Sequence, residues 1–145
     1  MDKNGAVNGV CTIYDRVEVD KASAGPIDHA GLIGTWINSN PDTTGVARFV
    51  VAEDDGQLRV RTYAIGPDNL IDWGLADVTI FASSPSSRVA AGFACQYDFG
   101  FAETLLQGMI LKGLVVLAQI HSFKDHSNRA SFFVREYFAL EHGRF

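Results

Sequence analysis

Eight apolar segments recur along this chain at a spacing of about ten residues, and that rhythm limits the fold more than any single motif. They cover 32–38, 46–53, 57–65, 71–82, 88–99, 101–111, 114–123 and 130–140. The runs between them are short and rich in Gly, Pro, Asn, Asp and Ser. Asp54-Asp55-Gly56 and Lys112-Gly113 read as tight hairpin turns, and Gly74 predicts a kink inside the fourth segment. Parallel neighbours would need crossovers of a dozen residues or more, so connections this short predict an antiparallel meander. An open meander leaves two unpaired edges, whereas closure removes them. The expected fold is therefore all-β: an eight-stranded antiparallel up-and-down barrel. An interior of that size holds packed side chains or one small ligand.

The segments start only after residue 30. Residues 1–30 read as an N-terminal arm with one strand over 9–19, and residues 31–145 as the barrel domain. The net charge of −5 and the absence of a Lys/Arg cluster argue against nucleic acid as a partner. Neither Cys11 nor Cys95 has a neighbour at metal-ligand spacing, so no metal is expected. The start Met1-Asp2-Lys3-Asn4-Gly5 lacks a basic-then-apolar leader pattern, which favours reduced thiols in a cytoplasmic protein. No apolar run reaches the length of a membrane span.

Alternation sorts the faces. In the fifth segment Val89, Ala91, Phe93, Cys95, Tyr97 and Phe99 form the buried set. In the seventh and eighth segments both faces are largely apolar. A lone barrel should show water a polar outer face, so a second copy or the N-terminal arm is expected to cover this one. A homo-oligomer is the favoured reading.

His121 lies mid-segment among apolar neighbours. It is either a hydrogen-bonded core histidine or a proton-transfer group. Counting back from Lys112-Gly113 places Glu103 opposite His121 or one pair beyond, as a structural salt link or an acid/base pair. Trp73 offers an indole at a barrel mouth. Tyr63, Tyr97, Phe133 and Tyr137 offer aromatic bodies, three of them with polar tips, for an apolar ligand or for the core itself. Arg59 and Arg61 share a face that reads as solvated. No nucleophile elbow, phosphate loop or dinucleotide fingerprint occurs, and no cofactor is expected. The first functional expectation is binding of a small, mainly apolar molecule in the barrel. The alternative is a cofactor-independent cyclase or isomerase in the same cavity, with Glu103 and His121 as acid and base.

Gly34-x-Trp36 on the first segment resembles the N-terminal signature of the lipocalin and avidin-like barrels. That resemblance implies that Trp36 closes the barrel floor and that Arg135, on the last segment, packs over it. A closer likeness rests on Gly34-Thr35-Trp36 with Asn38, Asp72-Trp73-Gly74, Phe99-Gly100-Phe101, His121-x-Phe123-x-Asp125 and Glu136-Tyr137-Phe138. In these the chain after Gly31 is similar to a group of small bacterial proteins with no established activity. The likeness implies one intact domain and carries no chemistry.

Overall fold

The computed structural model describes residues 26–142. The strand expected over 9–19 and Cys11 lie outside the described residues. All eight segments form strands, counted as nine because Val78 interrupts the fourth. In chain order they are β1 (Gly34–Asn38), β2 (Val46–Asp54), β3 (Gln57–Ile65), β4 (Leu70–Asp77), β5 (Thr79–Ala82), β6 (Ala90–Asp98), β7 (Ala102–Leu111), β8 (Leu114–Phe123) and β9 (Phe132–Leu140).

Among the described residues the strands all pair antiparallel, and the sheet order is β4-β3-β2-β1-β9-β8-β7-β6-β5. Its two outer strands are successive pieces of one run. β4 pairs with β3, and after Val78 β5 pairs with β6. The sheet thus curls into a nearly closed up-and-down barrel, with β9 joined back to β1 through Trp36↔Leu140 and Asn38↔Phe138.

The tight turns fix the register. Asp54 faces Gln57 around Asp55 (φ 55°) and Gly56 (φ 78°), and Leu111 faces Leu114 around Lys112 (φ 54°) and Gly113 (φ 82°). Two positive φ values in a two-residue loop match the right-handed twist of the flanking strands. From Lys112-Gly113 the alternation runs back without a slip along β7 and β8. It puts Thr104, Leu106 and Gly108 inside with His121, Gln119 and Leu117 opposite them.

The core fills one end of the barrel. Phe49 touches Phe138 (ring centroids 5.1 Å apart), Phe93 (5.6 Å) and Trp36 (6.3 Å). Gly108 faces Phe93 because the aromatic ring occupies the space a Cβ would take. Trp36 is buried and donates its Nε1–H to the carbonyl of Leu32 at 2.9 Å. That carbonyl belongs to a short 3-10 turn, Ala30–Leu32, whose Leu32 is fully buried. The expected Arg135 cover is not found. Arg135 pairs with Ala118 on the outer face, so the turn and its leucine seal the floor instead. Just before the turn, Asp28 bridges to Val89 at the entry to β6.

The outer face of β7 to β9 carries Met109, Phe133 and Tyr137, each about half exposed or more. Among the described residues no helix is long and apolar enough to cross a membrane.

Candidate functional site

The end opposite Trp36 is not filled. Between the β1–β2 loop, β4, β8 and β9 lies a cavity of about 390 Å³. Its walls are built by three local devices.

The first is a bulge. The β3–β4 register slips between Arg61 and Tyr63, so Trp73 and Gly74 together oppose Thr62. The extra residue turns the Trp73 indole inward against the cavity. There it stands edge-on to Phe99 (5.1 Å), Tyr97 (5.4 Å) and His121 (6.4 Å). The Tyr97 hydroxyl braces the bulge from inside by donating to the Gly74 carbonyl at 2.8 Å, with the Val60 carbonyl and Thr62 hydroxyl also in reach. Burial pushes this phenol up to about 12.

The second is the histidine wall. His121 stacks on Phe132, with ring centroids 4.4 Å apart and planes 25° from parallel. Its Nδ1 lies 2.8 Å from the Thr104 hydroxyl directly across the ladder. Nε2 has no hydrogen-bond partner among the described residues. Burial lowers the imidazole pKa below its ordinary 6.5, because the interior disfavours the cation.

The third is a strapped loop. Asn38 donates to the Val46 carbonyl, and the Asn40 and Asp42 amides donate back to the Asn38 and Asn40 side chains. Side-chain amides that mimic backbone in this way are why an Asn-x-Asn run folds as a compact turn. Thr43 then reaches across the cavity mouth and donates to Glu136 Oε2 at 2.9 Å. Glu136 Oε1 accepts from the buried Gln119 at 3.0 Å. Glu136 faces Leu117 while Phe132 faces His121. The Glu136 and His121 positions are therefore offset by four residues, about 13 Å of backbone along the strands, while the carboxylate itself leans to Gln119, midway between them.

The expected site is only partly assembled. Trp73 and His121 both line the cavity. Glu103 does not. It faces Ser122, one pair beyond His121 and on the outer face, where Lys124 holds it (3.2 Å) together with Asp98 (3.0 Å). A one-residue offset on a strand reverses the face, so no Glu103–His121 pair exists. Tyr63 is also outside, under the Arg48 guanidinium at 4.6 Å. Phe133 and Tyr137 are 59% and 48% exposed on the outer face. Tyr97 is buried as a brace and lines no cavity wall.

Sequence reasoning missed Thr43, Thr104, Gln119, Phe132 and Glu136. One signal for them was present: Gln119 and Glu136 interrupt the apolar alternation of consecutive strands and need each other. Assigning Arg135 to the floor places the odd residues of the last strand inside and hides that pairing.

Among the described residues no group of His, Cys, Asp or Glu is arranged to hold a metal ion. No protein-family model, curated protein or solved structure matches this chain.

Proposed function

We propose that the barrel binds a small molecule in this cavity, with a flat apolar part against Trp73 and Phe132 and a polar part toward Glu136 and Gln119. The observation that carries the reading is a space of ligand-site volume, about 390 Å³, at the unfilled end of an otherwise packed barrel. Its lining is more polar than the sequence led us to expect, so the ligand is amphipathic rather than mainly apolar. Titration with the neutral arylethanol tryptophol, followed by ¹H–¹⁵N spectra, tests it. Shifts should cluster at Thr43, Trp73, Gln119 and His121. Shifts absent or spread over the outer face would remove the reading.

A second reading is proton transfer on the bound molecule, as in a cofactor-free isomerisation or cyclisation. What favours it is His121, with Thr104 fixing one ring nitrogen and the other uncommitted beside the cavity. Glu136 replaces Glu103 as the acid. The aromatic ketone 2-tetralone should exchange its C1 protons for solvent deuterium faster with the wild type than with His121→Ala. Equal rates would sink this reading.

Two further readings belong with these. The outer face around Met109, Phe133 and Tyr137 suits contact between copies of the chain, which light scattering should show and Met109→Lys with Phe133→Glu should abolish. Cys95, a buried free thiol, suits a reducing cytoplasm.

A further inference from the structure

We infer that the cavity selects a cationic ligand: an amine attached to a flat apolar ring, its ammonium received by Glu136. This rests on the cavity being a ligand site and adds the charge of what enters it.

The first argument is how the carboxylates are distributed. Five on the outer surface are matched with cations: Asp72 with Arg61, Asp77 with Arg59, Asp98 and Glu103 with Lys124, and Asp125 with Arg129; others, such as Asp55 and Asp68, form no ion pair but stand exposed to water. Glu136 differs. It is half-buried, and among the described residues it forms no ion pair. Its contacts are two neutral donors, the Gln119 amide and the Thr43 hydroxyl. A carboxylate drawn out of water is costly unless paired, and two neutral donors offset only part of that cost.

The second argument is capacity. An ionised carboxylate offers about four lone-pair sites. Gln119 takes one on Oε1 and Thr43 one on Oε2, so each oxygen keeps one for a further donor. Both existing bonds also fix the carboxylate in place, which reduces the ordering needed when a ligand arrives.

The third argument is the rest of the lining. It contains a second carboxylate, Asp42, at the rim, and no Lys or Arg. A ligand carboxylate would meet two like charges and no partner. An ammonium would meet two opposite charges while the ring that carries it rests against Trp73. The chain's net charge of −5 adds a weak long-range bias of the same sign.

Three probes share an indole and differ at the far end: tryptamine (cationic), tryptophol (neutral) and indole-3-propionate (anionic). Calorimetry on the full chain should place tryptamine about tenfold tighter than tryptophol, with indole-3-propionate the weakest. Glu136→Gln should bring tryptamine to within about twofold of tryptophol, weakening tryptamine far more than tryptophol. Should that variant fold poorly, the wild type alone decides. Raising salt to about 0.5 M should weaken tryptamine and not tryptophol. If tryptophol binds and tryptamine shows no advantage, or if the advantage survives both Glu136→Gln and salt, the charge inference falls and the cavity reading stands. If none of the three binds, both fall.

Discussion

Thr104 and His121 face each other across the β7–β8 ladder with Oγ1 and Nδ1 2.8 Å apart, and this bond orients the one imidazole in the cavity. Replacing the hydroxyl by a methyl, Thr104→Val, keeps the shape and leaves Nδ1 without its partner. The loss should be about 1–3 kcal/mol of unfolding free energy, toward the lower end because His121 is only half-buried. Urea unfolding measures it, and an unchanged midpoint would show that the ring finds a partner elsewhere.

The lowered pKa of His121 fixes a sign. The unfolded chain takes up a proton near 6.5, whereas the folded one does so only at lower pH. Stability from this group is fully present above 6.5 and is lost as pH falls from there through the folded pKa. The ring protons of His121 should titrate below 6.5 by NMR, and His121→Gln should flatten the acid limb of the Tm profile. A titration at or above 6.5 would contradict the burial argument.

Much of this barrel was legible because its turns are chemically explicit. Asp55-Gly56 and Lys112-Gly113 occupy a conformation few other pairs adopt, and the register of β2–β3 and β7–β8 follows from them. The inward face of β6 was legible from Phe93 to Tyr97 for a related reason, since only one of its faces is rich in large apolar residues, whereas Val89, expected in the same buried set, precedes β6 and is exposed. β9 was not. Phe132, Val134, Glu136 and Phe138 alternate with Phe133, Arg135 and Tyr137, and both sets carry aromatics and one charge. Alternation cannot choose between such faces, and the loop before β9 is not a tight turn. Thr43 and Glu136, 93 residues apart, meet only because β9 closes onto β1, a contact no local pattern encodes.

Tyr97 and Gly74 are joined by the 2.8 Å bond that braces the Trp73 bulge. Tyr97→Phe removes a buried hydroxyl with three oxygens around it and should cost about 1–3 kcal/mol. The bulge loses its inner support, so tryptophol binding should weaken as well. The phenol also has a pH signature. The unfolded tyrosine ionises near 10 and the folded one at about 12, so its stabilisation is lost as pH rises through that window. Absorbance at alkaline pH should show a phenol titrating at about 12 that Tyr97→Phe deletes. A titration unchanged by Tyr97→Phe at that pH would break the argument.

Gly108 and Phe93 form a complementary pair across β6 and β7. A Cβ on Gly108 would overlap the phenyl ring, which packs against Phe49 in the core. Gly108→Ala should destabilise by about 1–3 kcal/mol through overpacking. The double variant Gly108→Ala with Phe93→Leu should lose less than the sum of the two single losses, because the smaller side chain vacates the contested space. Strict additivity would mean that the glycine serves its backbone rather than the ring.

The floor of the barrel separates two ways of holding a tryptophan. Trp36 is 3% exposed, stacks on Phe49 and donates to the Leu32 carbonyl of the preceding turn. Trp36→Phe keeps most of the apolar contact but loses the donor, and should cost about 1–3 kcal/mol. Trp36→Ala should cost about 3–5 kcal/mol. Arg135, the partner that the lipocalin-type signature implies, is on the far side of its strand. Arg135→Ala should therefore stay within about 0.5 kcal/mol of the wild type, as an exposed substitution usually does. Leu32→Ala should approach the Trp36→Ala loss, since Leu32 is the fully buried member of the turn that seals this end. Denaturant midpoints for these four variants decide between the arrangements. A large Arg135→Ala effect with a small Leu32→Ala effect would return the arginine to the floor. It would also exchange the two faces of β9, and with them the side of the wall on which Glu136 stands.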